Sequence, residues 1–159
     1  MGKIKLDEID HQILDMLIDN TRIPFTDIAK KLLISAGTVH VRVKKMEESG
    51  IIKGSSLTLD YKKLGYSFIA YVGLYLNNTS QTKFVLERIN DIAFVTVAHI
   101  TTGKFNIFCK IRARSTEHAK EIIFKLDDIE GVYRTETMIS LEESINDKKR
   151  LMHSVFSEM

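Results

Sequence analysis

The sequence predicts an α+β protein of two parts: an N-terminal winged helix-turn-helix and a C-terminal ferredoxin-like βαββαβ domain. Three observations predict it. The run from Leu32 to Ser55, LLISAGTVHVRVKKMEESGIIKGS, reads as turn, helix, turn and strand. From Ser67 to Leu141 the apolar pattern runs through six segments, in the order strand, helix, strand, strand, helix, strand. Between the two lies Tyr61–Gly65, YKKLG, a stretch without periodicity that reads as a connector. The expected domains are therefore 1–60 and 66–141, with a linker at 61–65 and a tail at 142–159.

The first helix is expected to start at Asp7, whose carboxylate can cap a free amide one turn on and suits the positive end of a helix dipole. Ile9, Ile13, Leu14 and Leu17 recur at helical spacing and form its buried side. Asn20 and Pro24 close it. Thr26 is the expected cap of a short second helix in which Ile28, Ala29 and Leu32 face inward. Ala29 and Gly37 are small where the second and third helices are expected to approach. Ser35 caps the third helix, Val39, Val43 and Met46 form its apolar stripe, and Gly50 ends it, where a left-handed residue is cheap. Ile51–Lys53 and Leu57–Asp60 are expected to pair as the strands of the wing.

The other side of the third helix points to function. It carries Thr38, His40, Val41, Arg42, Lys44 and Lys45, a mixture of hydrogen-bonding, methyl-bearing and cationic groups. A merely solvated face needs no such mixture, whereas a helix in a DNA major groove uses each component. Thr38, His40, Val41 and Arg42 are the candidates for base-edge or groove contact, and Lys44, Lys45 and Lys53 for phosphate. Arg42 borders the apolar stripe, so a pair with an acid of the first helix is the alternative for it. The net charge of +2 is small, but Lys30–Lys53 holds six basic residues against Glu47 and Glu48. That local concentration is what a phosphate footprint requires.

In the second domain Ser67–Leu76 is apolar on both faces, with Phe68, Ala70, Val72 and Leu74 on one and Ile69, Tyr71 and Tyr75 on the other. A split βαβ arrangement puts both helices on one face of the sheet, so the other apolar face is expected to bind a second copy of the chain. Helices are expected over Lys83–Ile89 and, capped by Ser115, over Thr116–Leu126; strands over Phe94–Ile100, Phe105–Ala113 and Val132–Leu141. The tail is loosely amphipathic through Ile145, Leu151, Met152, Val155 and Phe156, consistent with a terminal helix that docks on a neighbour.

Composition excludes several classes. One cysteine, Cys109, forms no internal disulfide and sits in an apolar run, as an inert thiol in a reducing compartment would. The N-terminus lacks an apolar core of signal-peptide length and no apolar stretch spans a bilayer, so a cytoplasmic protein is expected. His11, His40, His99, His118 and His153 stand at no metal-ligand spacing. His99 is expected to be a packed strand residue. No nucleophile elbow, phosphate loop or dinucleotide fingerprint occurs, so neither catalytic residues nor an enzyme is expected.

LDEIDHQIL (Leu6–Leu14), SAGTVHVRVKKMEESGIIKG (Ser35–Gly54), LGY (Leu64–Tyr66), TTGKFNIFCK (Thr101–Lys110) and TETMISL (Thr135–Leu141) together resemble the Lrp/AsnC family of feast/famine transcription regulators over essentially the whole chain. The resemblance implies a DNA-binding winged helix joined to a small-molecule-binding (RAM-type) domain. It implies dimers through the sheets, often four dimers in an octameric disc. It also implies an amino-acid effector, asparagine among the candidates, bound near the glycine loop after the second strand. Mapped onto this sequence, the loop supplies Thr101, Thr102, Gly103 and Asn106, with Thr135 and Thr137 of the last strand nearby. Many members carry an aspartate where this chain has Asn106, so the effector's contact there is expected to differ. The rival readings are a nucleoid-organising protein without an effector and an amino-acid sensor whose N-terminal helices bind protein.

Overall fold

The computed structural model describes residues 5–147 and 149–152. The expectations that rest on Val155 and Phe156, and the placement of His153, lie outside the described residues. The chain forms two compact units. One takes the residues up to Thr58 and again those from Ile145 onward; the other is Leu59–Ser144.

In the first unit α1 (Glu8–Asp19), α2 (Phe25–Leu32) and α3 (Ala36–Glu48) enclose a core of Ile13, Leu14, Ile28, Ala29, Val39, Val43 and Met46. Asp7 caps α1 in a reciprocal box: its carboxylate accepts from the Asp10 amide at 2.9 Å, and the Asp10 carboxylate accepts from the Asp7 amide at 3.1 Å. Ser35 caps α3 by accepting from the Thr38 amide at 3.0 Å. The cap of α2 differs from expectation. Pro24, not Thr26, holds the N-cap position, and no side chain caps the helix. Proline's fixed φ is already suited to a helix entry, so the helix starts two residues earlier than a threonine cap allows. Gly37 is exposed, and a methyl group there would meet only the Ser35 hydroxyl at 3.7 Å, so it is not a close-packing site between helices.

The turn between α2 and α3 passes through Leu33, which takes φ +56° and is 92% exposed. It is the one non-glycine residue among those described with a left-handed backbone.

The wing strands are absent from residues 51–60. The amides of Ile51 and Ile52 donate to the Met46 carbonyl at 3.0 and 3.1 Å, so both residues complete the C-terminal turn of α3. Gly50 makes this possible by adopting φ +76°. With those donors committed to the helix end, no ladder starts there. Leu57 and Leu59 stand 75% and 49% exposed.

The second unit contains β1 (Phe68–Leu76), α4 (Thr82–Asn90), β2 (Val95–Ile100), β3 (Ile107–Ala113), α5 (Thr116–Asp127) and β4 (Val132–Ile139). A short 3₁₀ turn, Thr79–Gln81, precedes α4. The sheet runs β2-β3-β1-β4 with every neighbour antiparallel, the ferredoxin-like arrangement the sequence predicts. Ser115 caps α5 through the His118 amide. Ala70, Val72 and Leu74 are fully buried with Val85, Ile89, Ile122 and Leu126 of α4 and α5. That assigns the two faces of β1. Ala70, Val72, Leu74 and Leu76 lie under the helices; Ile69, Tyr71 and Tyr75 lie on the open face.

The connector is an ordered turn. The Tyr66 amide donates to the Tyr61 carbonyl at 2.8 Å, and the rings of Tyr61 and Tyr66 receive the guanidiniums of Arg112 and Arg114. No helix among the described residues is long and apolar enough to cross a membrane.

Candidate nucleic-acid and effector sites

The α3 face divides by geometry. Val39, Val43 and Met46 are buried. Thr38, Val41 and Lys45 form one exposed row, and His40 and Lys44 another, at the three- and four-residue spacings that align side chains on a helix. Val41 is 65% exposed although it is apolar. His40 stands with its ring centroid 6.0 Å from that of Phe25, and Lys44 lies 3.8 Å from Glu48 in a surface pair too loose to hold it. Among the described residues Lys45 and Lys53 make no ion pair. The Ser35 hydroxyl, besides capping, stands 2.8 Å from the Thr38 hydroxyl.

Arg42 is turned away from this face, as its alternative reading has it. Its guanidinium donates to Asp7 at 2.7 Å and to Asp10 at 2.8 Å. The hydrogen bonds it donates to Asp10 and then Asp7 push the Arg42 pKa up. The Asp10 amide, then Arg42, holds the Asp7 carboxyl below its ordinary value. The same box that caps α1 thus anchors α3.

In the second unit the loop between β2 and β3 folds onto the open face. Phe105 sits over Gly73, where an added Cβ would lie 2.3 Å from the ring, and packs against Tyr75 and Phe108 at centroid separations of 5.3 and 5.7 Å. Lys104 donates to Glu136 at 2.6 Å, and Glu136 also accepts from Arg134 at 2.6 Å and from the Tyr75 hydroxyl at 2.9 Å. Lys104, then Tyr75, holds the Glu136 carboxyl below its usual range. The open face is therefore a mixture of aromatic rings and paired charges. The Lys104–Glu136 pair joins the β2–β3 loop to β4, a neighbourhood the sequence alone does not reveal.

Within the loop, Thr101 donates its hydroxyl hydrogen to the Phe105 carbonyl at 2.6 Å. Its own amide donates to the Asn106 carbonyl at 3.1 Å. Thr102 is exposed, and among the described residues its hydroxyl has no partner. Gly103 adopts φ +115°, which only glycine takes readily, and nothing lies within 4 Å of its missing Cβ. The Asn106 side-chain oxygen accepts from the Leu76 amide at 2.9 Å. Because that partner is a donor, the assignment of oxygen and nitrogen follows, and the amide NH₂ is left as a donor only.

Thr135 and Thr137 are not brought to the loop's Lys104 and Phe105 within one chain. They stand opposite Leu74 and Val72 in the β1–β4 register and so share the helix side of the sheet. Thr135 donates to Asp127 at the end of α5, at 2.8 Å. His99 is exposed on edge strand β2, opposite Phe108, rather than packed. Cys109 is fully buried and its thiol is pushed up to about 12 by desolvation, so it is inert as a nucleophile. Among the described residues no group of His, Cys, Asp or Glu could hold a metal ion.

Sequence reasoning missed Leu33, Lys104 and Glu136. Leu33 gives no composition signal for a left-handed turn, and Lys104 and Glu136 meet only once the sheet has formed.

Residues 6–53 match the family model described as winged helix-turn-helix DNA-binding, and residues 69–149 match the Lrp/AsnC ligand binding domain. The regulatory protein AsnC of Escherichia coli K12 is 34% identical over 146 residues, covering 91% of this chain and 96% of its own. The solved structure of E. coli AsnC superposes with a TM-score of 0.87 at 32% identity, over 91% of this chain and 97% of that one. A feast or famine regulatory protein from M. tuberculosis, solved in complex with L-methionine, shares the fold at a TM-score of 0.81 and 22% identity, covering 91% of this chain and 97% of that one. With a DNA-binding helix-turn-helix and a ligand-binding domain joined in this order, the chain belongs to the Lrp/AsnC family of transcription regulators, which are not enzymes.

Proposed function

We propose that this regulator reads DNA with the exposed rows of α3, as a dimer paired through the open sheet face, under the control of an amino acid at the β2–β3 loop. The observation that carries the DNA reading is Val41. A solvated helix face does not favour an exposed valine between His40 and the Lys44–Lys45 pair, whereas a thymine methyl group gives it a partner in the major groove. Thr38 and His40 offer hydrogen bonds to base edges, Ser35 and Thr38 mark the helix N-terminus, and Lys44, Lys45 and Lys53 meet phosphate. Arg42 is left out of this set because two carboxylates hold it.

Tyr71, Tyr75, Phe105 and Phe108 supply an aromatic centre to the open face, and Lys104, Glu136 and Arg134 a charged margin. This is the composition of an interface between copies, and a twofold axis would set two winged helices against two half-sites. An octamer of four such dimers follows the family pattern.

The effector enters at Thr101, Thr102, Gly103 and Asn106, with Thr135 and Thr137 supplied from a neighbouring chain. Asn106 presents hydrogen-bond donors, so it suits a carboxylate or an amide carbonyl of the ligand, and not its ammonium group. Asparagine offers both kinds of oxygen. The test is titration of operator DNA in the presence and absence of each amino acid, with Val41→Ser and Lys45→Ala. Val41→Ser relaxes preference at one base pair, by about 1–3 kcal/mol, while Lys45→Ala weakens all sequences alike. Sequence preference unaltered by Val41→Ser and DNA affinity indifferent to every amino acid would overturn the reading.

A further inference from the structure

At the start of β2 the second unit holds a cavity of about 240 Å³, apart from the β2–β3 loop. Its walls are Tyr61, Leu64 and Tyr66 of the connector turn, Ala93 and Phe94 ahead of β2, and Arg112 of β3. We propose that this pocket binds a small carboxylate with a flat apolar body and no ammonium group, held at its charged end by Arg112.

The walls are built without a ligand. The turn is fixed by the Tyr66 amide on the Tyr61 carbonyl and by the Gly65 amide on the Lys62 carbonyl at 3.0 Å. Tyr66 stacks on Phe94, with ring centroids 6.1 Å apart and planes inclined by 25°. The Phe94 carbonyl in turn accepts from the Arg112 amide at 3.0 Å. Rings and aliphatic carbons thus line a space smaller than a drug-sized ligand needs, and aromatic walls suit a flat ring in offset or edge-on contact.

Arg112 gives the site its sign. Its guanidinium carbon lies 5.1 Å from the centre of the Tyr61 ring, a contact that offers its N–H groups no oxygen. It is half-buried, and among the described residues its side chain makes neither an ion pair nor a hydrogen bond. Arg42 and Arg134, by contrast, both end on carboxylates. The Thr96 hydroxyl on the same wall is committed to the Lys110 carbonyl at 3.2 Å, and the Tyr66 hydroxyl accepts from Arg114 at 3.2 Å. A half-buried guanidinium with open donors is a receptor for a carboxylate, which it can take through two parallel N–H···O bonds.

The rest of the wall sets the selectivity. Among the described residues no aspartate or glutamate lines the cavity. An ammonium group carried in with the carboxylate would therefore lose its water without gaining a partner. That excludes an amino acid, the class of ligand proposed for the β2–β3 loop. The two sites stand at opposite ends of β2, about 17 Å apart along the strand.

Methyl NMR of the full-length protein with phenylpropanoate, L-phenylalanine and phenylpropanol tests this. The probes share a phenyl ring; the second adds an ammonium group and the third lacks the carboxylate. Phenylpropanoate should shift the methyl resonances of Leu64 and Ala93 and leave those of Thr101 and Thr102 in place. The other two should bind at Leu64 and Ala93 roughly tenfold more weakly or worse, the scale of one charged hydrogen bond. Shifts from L-phenylalanine confined to Thr101 and Thr102 belong to the loop and support that selectivity. Arg112→Gln should weaken phenylpropanoate by the same factor. Ala93→Met, at an exposed position, keeps the arginine and fills the space, so it should abolish the Leu64 shift even where Arg112→Gln is unfolded. No shift at Leu64 and Ala93, equal affinity for phenylpropanol or L-phenylalanine there, or unchanged affinity in either folded variant would overturn the proposal.

Discussion

The Arg42 guanidinium lies 2.8 Å from the Asp10 carboxylate, across the junction of α1 and α3. That contact fixes α3 against α1, because Asp10 also closes the capping box of α1. Arg42→Met is expected to lower the stability of the winged helix by roughly 1 kcal/mol, the scale of a part-exposed charge-assisted pair, and to leave base preference intact. Thermal unfolding and operator binding at matched folded fraction measure the two effects. The pH dependence follows from Asp7, whose folded pKa lies below the ordinary 3.8. Its contribution is complete above pH 3.8 and is lost as pH falls through the folded value. The stability gap between native protein and variant should therefore narrow below that pH.

Lys44 and Lys45, proposed to meet phosphate, should act together on the slope of affinity against salt. Every phosphate that a lysine neutralises adds about 0.9 to that slope, so Lys44→Ala/Lys45→Ala should bind DNA with a slope shallower by roughly two. An unchanged slope would show that neither lysine meets phosphate.

Tyr71 and Val72 are sequence neighbours with opposite fates. Val72 is fully buried beneath the helices, and Tyr71 stacks on Phe108 at 5.7 Å on the open face. Val72→Asp should abolish folding of the ligand-binding unit, since an unpaired buried charge costs several kcal/mol. Tyr71→Asp should leave a folded protein that sediments as a monomer. Circular dichroism and sedimentation velocity separate these outcomes.

Leu33 holds a left-handed backbone at φ +56° with its side chain almost wholly in solvent. That conformation costs a side-chain-bearing residue about 1 kcal/mol or more, and glycine nothing comparable. Leu33→Gly should raise the melting temperature, and Leu33→Val, with a branched Cβ, should lower it.

Asn106 is both a strut and a ligand candidate. Asn106→Ala orphans the Leu76 amide and should cost about 1–3 kcal/mol. Asn106→Asp keeps an acceptor for that amide but exchanges the free donors for acceptors. Calorimetry should show that the aspartate variant remains stable yet changes its preference among amino acids.

What was legible in the sequence was local. Asp7 and Ser35 announce their helices because a cap and the amide it satisfies lie three residues apart. The stripe Val39–Val43–Met46 needs only the helical period. The two faces of β1 were not distinguishable, because both are apolar and only the helices decide which is covered. The wing failed for a different reason: Ile51 and Ile52 have strand-forming side chains, but their amides were already engaged by Met46. The Arg42 partners and the Lys104–Glu136 pair are separated by more than thirty residues, beyond the reach of any periodic pattern.

Gly73 gives the β2–β3 loop a seat, with the Phe105 ring in the space a side chain would fill. The loop can leave the sheet only by exposing that half-buried ring to water. Any response of the loop to a ligand must then carry a heat-capacity change, positive on opening and negative on closing, because hydration of apolar surface has that signature. A bulkier residue at 73 would hold the loop open in every state, and the thermal curvature of ligand binding would flatten with it.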